Sequence, residues 1–189
     1  MALDQPERIR LLSIARAAIA AHVRGGRPEA PDAPPLVERT VPGGRLPVSY
    51  SGVFVSLYRQ GTLRGCIGTL DGSGWLADAV AETAVSACSE DPRFRPLAPD
   101  ELDDLELEIS VLGPIELVRD LDTIEVGRHG LIVEQGRHRG LLLPQVAAEW
   151  RWTRHQFLAE TCHKAGLRED AWKAGATIFR FEADVFSEA

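Results

Sequence analysis

The sequence predicts an α+β domain in which a mostly antiparallel sheet is packed with helices. Three observations predict it. Leu105 to Leu112 alternates cleanly, with Leu105, Leu107, Ile109 and Val111 on one face and Glu106, Glu108 and Ser110 on the other, the pattern of a strand with one wet face. Two apolar runs, Gly52 to Tyr58 and Leu63 to Leu70, are separated by the short turn Arg59-Gln60-Gly61-Thr62, which implies a hairpin. Helical patterns lie among these strands without alternating with them one for one, so a parallel, doubly wound sheet is not expected.

The elements follow in order. Pro6 to Val23 carries Ile9, Leu12, Ala15, Ile19 and Val23 at three- and four-residue steps, a helical stripe. Residues 1–24 are therefore read as an N-terminal helix, residues 25–47 as a connection, and residues 48–189 as a sheet-and-helix core in one or two lobes. Gly25 to Pro47 holds six prolines and four glycines, the composition of an irregular segment. After the first hairpin, Asp71-Gly72-Ser73-Gly74 leads into a helix from about Trp75 to Ser89, with Ser73 or Gly74 as N-cap and Leu76, Val80, Ala84 and Ala87 on its inner face. Asp91 to Pro99 is a proline-bounded loop. Leu131 to Glu134 and Gly140 to Leu143 form a hairpin, and Pro144 opens a short helix to Trp150. Thr153-Arg154-His155-Gln156 has capping-box spacing, with Gly166 to close the helix it starts. Thr177 to Phe186 closes the domain as a strand, with Phe179, Phe181, Ala183 and Val185 on one face.

Composition narrows the function classes. The chain has 189 residues, 44% of them hydrophobic, and a net charge of −7. That length builds a core without disulfides or a structural metal. The charge argues against general nucleic-acid binding; all but two of the 21 basic residues are arginine, spread along the chain. A local patch from Arg128, Arg137 and Arg139 is the sole basis for a nucleic-acid reading. No apolar run has the length of a membrane span, and the N-terminus lacks the segments of a secretory signal. Cys66, Cys88 and Cys162 are odd in number and widely spaced, without Cys-x-x-Cys, and no histidine pair has i, i+4 spacing. A cytoplasmic protein with no metal and no cofactor is expected.

Leu63-Arg64-Gly65-Cys66-Ile67-Gly68-Thr69 is the densest chemical segment. Glycine inside a strand marks a bulge or a close approach by a ligand or backbone. On an unbulged strand Arg64, Cys66 and Gly68 share a face, with Gly65, Ile67 and Thr69 opposite. Arg64 then sits about 7 Å from the thiol and favours a thiolate, and Gly68 leaves a slot beside it. In this reading Cys66 is a nucleophile, Arg64 its activator and His129 its general base. Gly65, Gly68 and Thr69 shape the site, and Arg93 of Asp91-Pro92-Arg93-Phe94 meets an anionic group. The alternative is architecture. A two-residue turn at Gln60-Gly61 places Cys66 opposite Val55 among aliphatic side chains, where free cysteines are commonly buried. His129, between glycines at a strand entrance, then caps a turn, and Arg93 ties down its own loop. Cys88 and Cys162 are packing residues on helices.

From LRGCIGT (Leu63 to Thr69) outward, the chain resembles the AMMECR-one domain family, known in prokaryotes as AmmeMemoRadiSam system protein A. The likeness runs through GVFVSL, DPRFRPL (Asp91 to Leu97), LELEISVLGP (Leu105 to Pro114), VGRHGL (Val126 to Leu131) and LLLPQVA (Leu141 to Ala147). It spans Gly52 to Phe186 and leaves Gly25 to Pro47 unaligned. The resemblance implies an α+β fold of two lobes with a cleft between them, which would take a small-molecule or protein ligand. It places Arg64, Gly65, Cys66, Gly68, Arg93 and His129 in recurring motifs. As partners it implies a Memo-like protein and a radical S-adenosylmethionine protein in a shared intracellular modification pathway. It supplies no reaction, so an enzyme and an accessory binding module both stand.

Overall fold

The computed structural model describes residues 3–25 and 50–188. The connection expected over 25–47 lies, apart from Gly25, outside the described residues. The chain divides into two compact units, Met1–Val111 with Asp184–Ala189, and Leu112–Ala183. The α+β class and the antiparallel pairing hold.

In the first unit, helix α1 (Gln5–Val23) starts at a capping box in which Asp4 accepts from the Glu7 amide and Glu7 reaches back. Its buried side is Leu11, Leu12, Ile14, Ala15, Ala18 and Ile19. Ile9, expected on the inner stripe, is 54% exposed. The buried arc centres on Leu11 and Ala15, and Ile9 lies too far round the helix to reach it. Arg8 bonds Asp184 at 2.7 Å, and Arg16 reaches Glu188 and the carbonyls of Leu102 and Leu105.

Strands β1 (Gly52–Arg59) and β2 (Thr62–Thr69) pair through a turn in which Gln60 and Gly61 both have positive φ, 52° and 71°, the primed turn of a two-residue hairpin. β3 (Leu105–Leu112) lies on the other side of β1 and leaves β2 at the edge. Leu105, Leu107, Ile109 and Val111 are buried as predicted; Ser110, expected on a wet face, is buried as well, so the strand's far end is covered on both sides. Helix α2 (Leu76–Ser89) packs on β1 and β2 through Leu76, Val80, Ala84 and Ala87. Its N-cap is Trp75, which does not cap the helix through its side chain; the Ser73 amide closes on Asp71.

The second unit holds β4 (Glu116–Leu117), β5 (His129–Gln135), β6 (His138–Leu142) and most of β7 (Thr177–Ser187), in the order β4-β7-β5-β6. The β5–β6 hairpin is tighter than predicted: Gln135 pairs with His138, which leaves Gly136 and Arg137 as the turn. Helices α3 (Pro144–Glu149) and α4 (Arg154–Lys164) complete this unit. The capping box at Thr153 and Gln156 forms, and Gly166 takes φ +71° just past the helix end. Phe157, Leu158, Cys162, Leu131, Val133 and Ile178 make its core. Along β7 the expected alternation fails: Ile178, Phe181 and Phe186 are buried. Ile178 belongs to the core of the second unit and Phe186 to that of the first, so no single period-2 face serves the strand's whole length.

Candidate functional site

The register of the first hairpin decides where the thiol points. Leu57 pairs with Gly65 and Tyr58 with Leu63, so Arg64 is an extra residue, a β-bulge. The bulge shifts every residue beyond it by one. Cys66 therefore faces Ser56, not Val55. The Ser56 hydroxyl donates to Cys66 Sγ at 3.2 Å, and Cys66 is half-buried while Cys88 and Cys162 are fully buried. Burial pushes the Cys88 thiol up to about 11 and raises that of Cys162; both are packing residues.

The glycines serve close approach. A Cβ on Gly65 would lie 2.3 Å from the Ala87 carbonyl oxygen of α2, so this glycine lets helix meet strand. A Cβ on Gly68 would lie 2.1 Å from the Phe54 ring. The slot expected at Gly68 is thus filled by the cross-strand aromatic partner. Thr69, at the end of β2, accepts from the Asp71 amide through its hydroxyl.

Arg64 does not lie along the strand face toward the thiol. Its Nε and Nη2 donate to the two oxygens of Glu101, both at 2.9 Å, and Nη1 donates to the Arg95 carbonyl at 3.0 Å. Glu101 is 2% exposed, and the Arg64 guanidinium holds its carboxyl down to about 2. The bulge turns the Arg64 side chain out of the strand's alternation and onto the DPRFRPL loop.

The same loop covers the outer edge of β2. Buried Asp91 accepts from the Cys66 amide at 2.8 Å and from Arg93 at Nε and Nη2, 2.9 and 2.6 Å. Arg93 Nη2 also donates to the Cys66 carbonyl at 3.3 Å. Asp91 and Arg93 thereby do for Cys66 what a neighbouring strand would do. They satisfy its outward N–H and C=O, and a bare edge strand would template aggregation. Hydrogen bonds from Arg93 hold the Asp91 carboxyl far below the usual carboxylate range, against the opposing effect of burial.

His129 belongs to the second unit and is 5% exposed. Its Nδ1 accepts from the Glu125 amide at 3.0 Å and its own amide donates to the Glu125 carbonyl at 2.9 Å. Burial first, then Arg180, lowers its pKa. It caps a turn as a neutral imidazole. Arg128 pairs with Glu125 and Glu182 and Arg139 with Glu134, so these arginines are not a bare basic patch.

Three residues of this network escaped the sequence reading. Ser56 was hidden by the bulge. Glu101 sits in an acidic run that reads as solvated, and nothing local marks it. Asp91 had a signal: an aspartate two residues before an arginine across a proline, which favours a local carboxylate–guanidinium turn. Among the described residues no cluster of His, Cys, Asp and Glu has the arrangement of a metal site, and no helix is long and apolar enough to cross a membrane.

Residues 12–186 match the AMMECR1 family. The chain belongs to that family. Among its relatives is a protein of Methanothermobacter thermautotrophicus, 45% identical over 194 residues that cover 98% of this chain and 96% of the relative. Another, from Thermococcus gammatolerans, is 44% identical over 94% of this chain and 88% of its own length. A crystal structure of an uncharacterized protein from Pyrococcus horikoshii is similar at a TM-score of 0.82 and 38% identity, covering 99% of this chain and 93% of that one. The segments LRGCIGT and DPRFRPL are, in this chain, one hydrogen-bonded unit.

Proposed function

We propose that this AMMECR1 chain is a non-catalytic, partner-binding component of an intracellular modification pathway, working beside a Memo-like protein and a radical S-adenosylmethionine protein. One observation carries the reading: the side chains a thiol enzyme would need are already committed to carboxylates and to backbone. Arg64 is held by Glu101 and the Arg95 carbonyl, Arg93 by Asp91 and the Cys66 carbonyl, and His129 Nδ1 by the Glu125 amide. A general base whose acceptor nitrogen is occupied has no lone pair there for a thiol proton. The pathway and its two partners rest on the motif resemblance alone.

The second reading keeps Cys66 as a reactive thiol, favoured by its partial exposure and by the Ser56 hydroxyl that orients its sulfur. A Cys66→Ala chain separates the two. It is introduced into source cells lacking the wild-type chain, and the products of the pathway and the co-purifying proteins are measured. Full function with both partners retained supports the binding module. Loss of function in a chain that melts like the wild type, with partners still bound, transfers the role to the thiol. If neither partner co-purifies with the wild type, the pathway assignment fails.

A further inference from the structure

A second feature of the first unit is independent of Cys66 and needs no partner protein. Between the end of β2 and the start of α2 lies a cavity of about 470 Å³, walled by Tyr50, Asp71, Trp75, Asp78 and Glu82. That volume falls in the range of small-molecule sites, about 300–1,000 Å³. Two of its polar atoms, Tyr50 Oη and Asp78 Oδ1, have no hydrogen-bond partner among the described residues. Tyr50 is 94% buried, and its hydroxyl points toward Gly74 of the cavity wall, 4.0 Å from where a Cβ would sit. A buried polar atom without a partner is destabilising, so such atoms mark places where a partner is meant to arrive.

Charge decides what kind of partner. The start of α2 carries the partial positive charge of a helix N-terminus, about +0.5, which attracts anions. Against it stand three carboxylates, Asp71, Asp78 and Glu82, and among the described residues no basic side chain lines the cavity. The same three carboxylates, after burial, raise the Tyr50 pKa. The balance is negative. Oδ1 of Asp78 accepts only, and the Tyr50 hydroxyl accepts or donates, so the fitting group carries several N–H donors. Trp75, 41% exposed, lines the same cavity. We infer that this cavity binds a small organic cation through a primary ammonium or guanidinium group, held by Asp78 and Tyr50 with Glu82 beside them.

The test is isothermal titration of the full-length chain at low salt with agmatine and putrescine, repeated with tetramethylammonium, magnesium ion and inorganic phosphate. One saturable site for at least one of the two amines is expected, weakened about tenfold or more by Asp78→Asn. Glu82→Gln, at an exposed position that leaves folding intact, weakens binding a few-fold. Tyr50→Phe removes one hydroxyl and keeps the packing. No saturable binding of either amine overturns the inference, as does binding that Asp78→Asn and Glu82→Gln leave unchanged. Tetramethylammonium bound as tightly as putrescine overturns the N–H requirement. Saturation of the same site by magnesium or phosphate replaces the organic cation.

Discussion

Arg64 and Asp91 show how single side chains hold the LRGCIGT segment. Arg64 forms four hydrogen bonds, two to Glu101 and one each to the carbonyls of Arg95 and Pro96. Removing Arg64 takes from buried Glu101 its two bidentate bonds and leaves it the more distant Arg59, at 3.4 Å, and the Ala98 amide. Arg64→Ala should lower stability by about 3 kcal/mol in urea unfolding. Arg64→Lys should fail to restore it, because an ammonium cannot span both carboxylate oxygens and the carbonyls. Unchanged stability in both variants would show that Glu101 finds another partner. At the thiols, exposure separates the three cysteines. Alkylation of native protein should modify Cys66 and spare Cys88 and Cys162 until the chain unfolds, as read by mass spectrometry of the three peptides. Equal reaction of all three in the native state would contradict the packing described.

The β1–β2 hairpin and α2 meet through glycine. Gly65→Ala would place a methyl carbon 2.3 Å from the Ala87 carbonyl oxygen, a backbone atom that cannot step aside. A loss of about 1–3 kcal/mol is expected, as for other overpacked contacts. Gly113→Ala is the control, since its nearest neighbour would be the Glu182 carbonyl at an ordinary 3.5 Å; its stability should shift by less than about 0.5 kcal/mol. A pattern shared by both units appears at this scale. Phe54 covers Gly68 and Phe181 covers Gly130, each from the directly paired position on the neighbouring strand. An aromatic ring laid over a cross-strand glycine restores packing the glycine lacks. Gly68 looks from sequence like an open slot; in the structure Gly68 and Gly130 are each a seat for a ring. How much of the site was legible follows from this. The strands, turn and motif could be read from alternation and turn residues. The glycines of LRGCIGT signalled a bulge or a close approach; that Arg64 is the extra residue could not be read, because inserting it leaves the local composition of a strand unchanged.

Over the whole molecule, carboxylates that hold loops to strands set the acid limit. Asp91 and Glu101 both ionise more readily folded than unfolded, through Arg93 and Arg64 respectively. Depressed folded values contribute stability that is fully present above the unfolded values, about pH 4 to 4.5, and is lost as pH falls toward the folded ones. The melting temperature should therefore fall steeply between about pH 4.5 and 2. Glu101→Gln should flatten that slope while lowering the plateau at neutral pH. A variant with the wild-type slope would remove Glu101 from the acid transition.

The sequence by itself determined the α+β class, the helix caps at Thr153 and Gly166 and the hairpin turn at Gln60-Gly61. These depend on periods of two or 3.6 residues and on backbone preferences within a few positions. Only the tertiary structure decided that Cys66 faces Ser56, that Phe54 fills the space over Gly68, and that Arg64 and the Cys66 backbone are held from Glu101 and Asp91. Those partners lie 37 and 25 residues away along the chain. A carboxylate in an acidic run carries no local mark of the guanidinium groups it will meet. Strand register and burial choose that meeting, and both are properties of the packed chain.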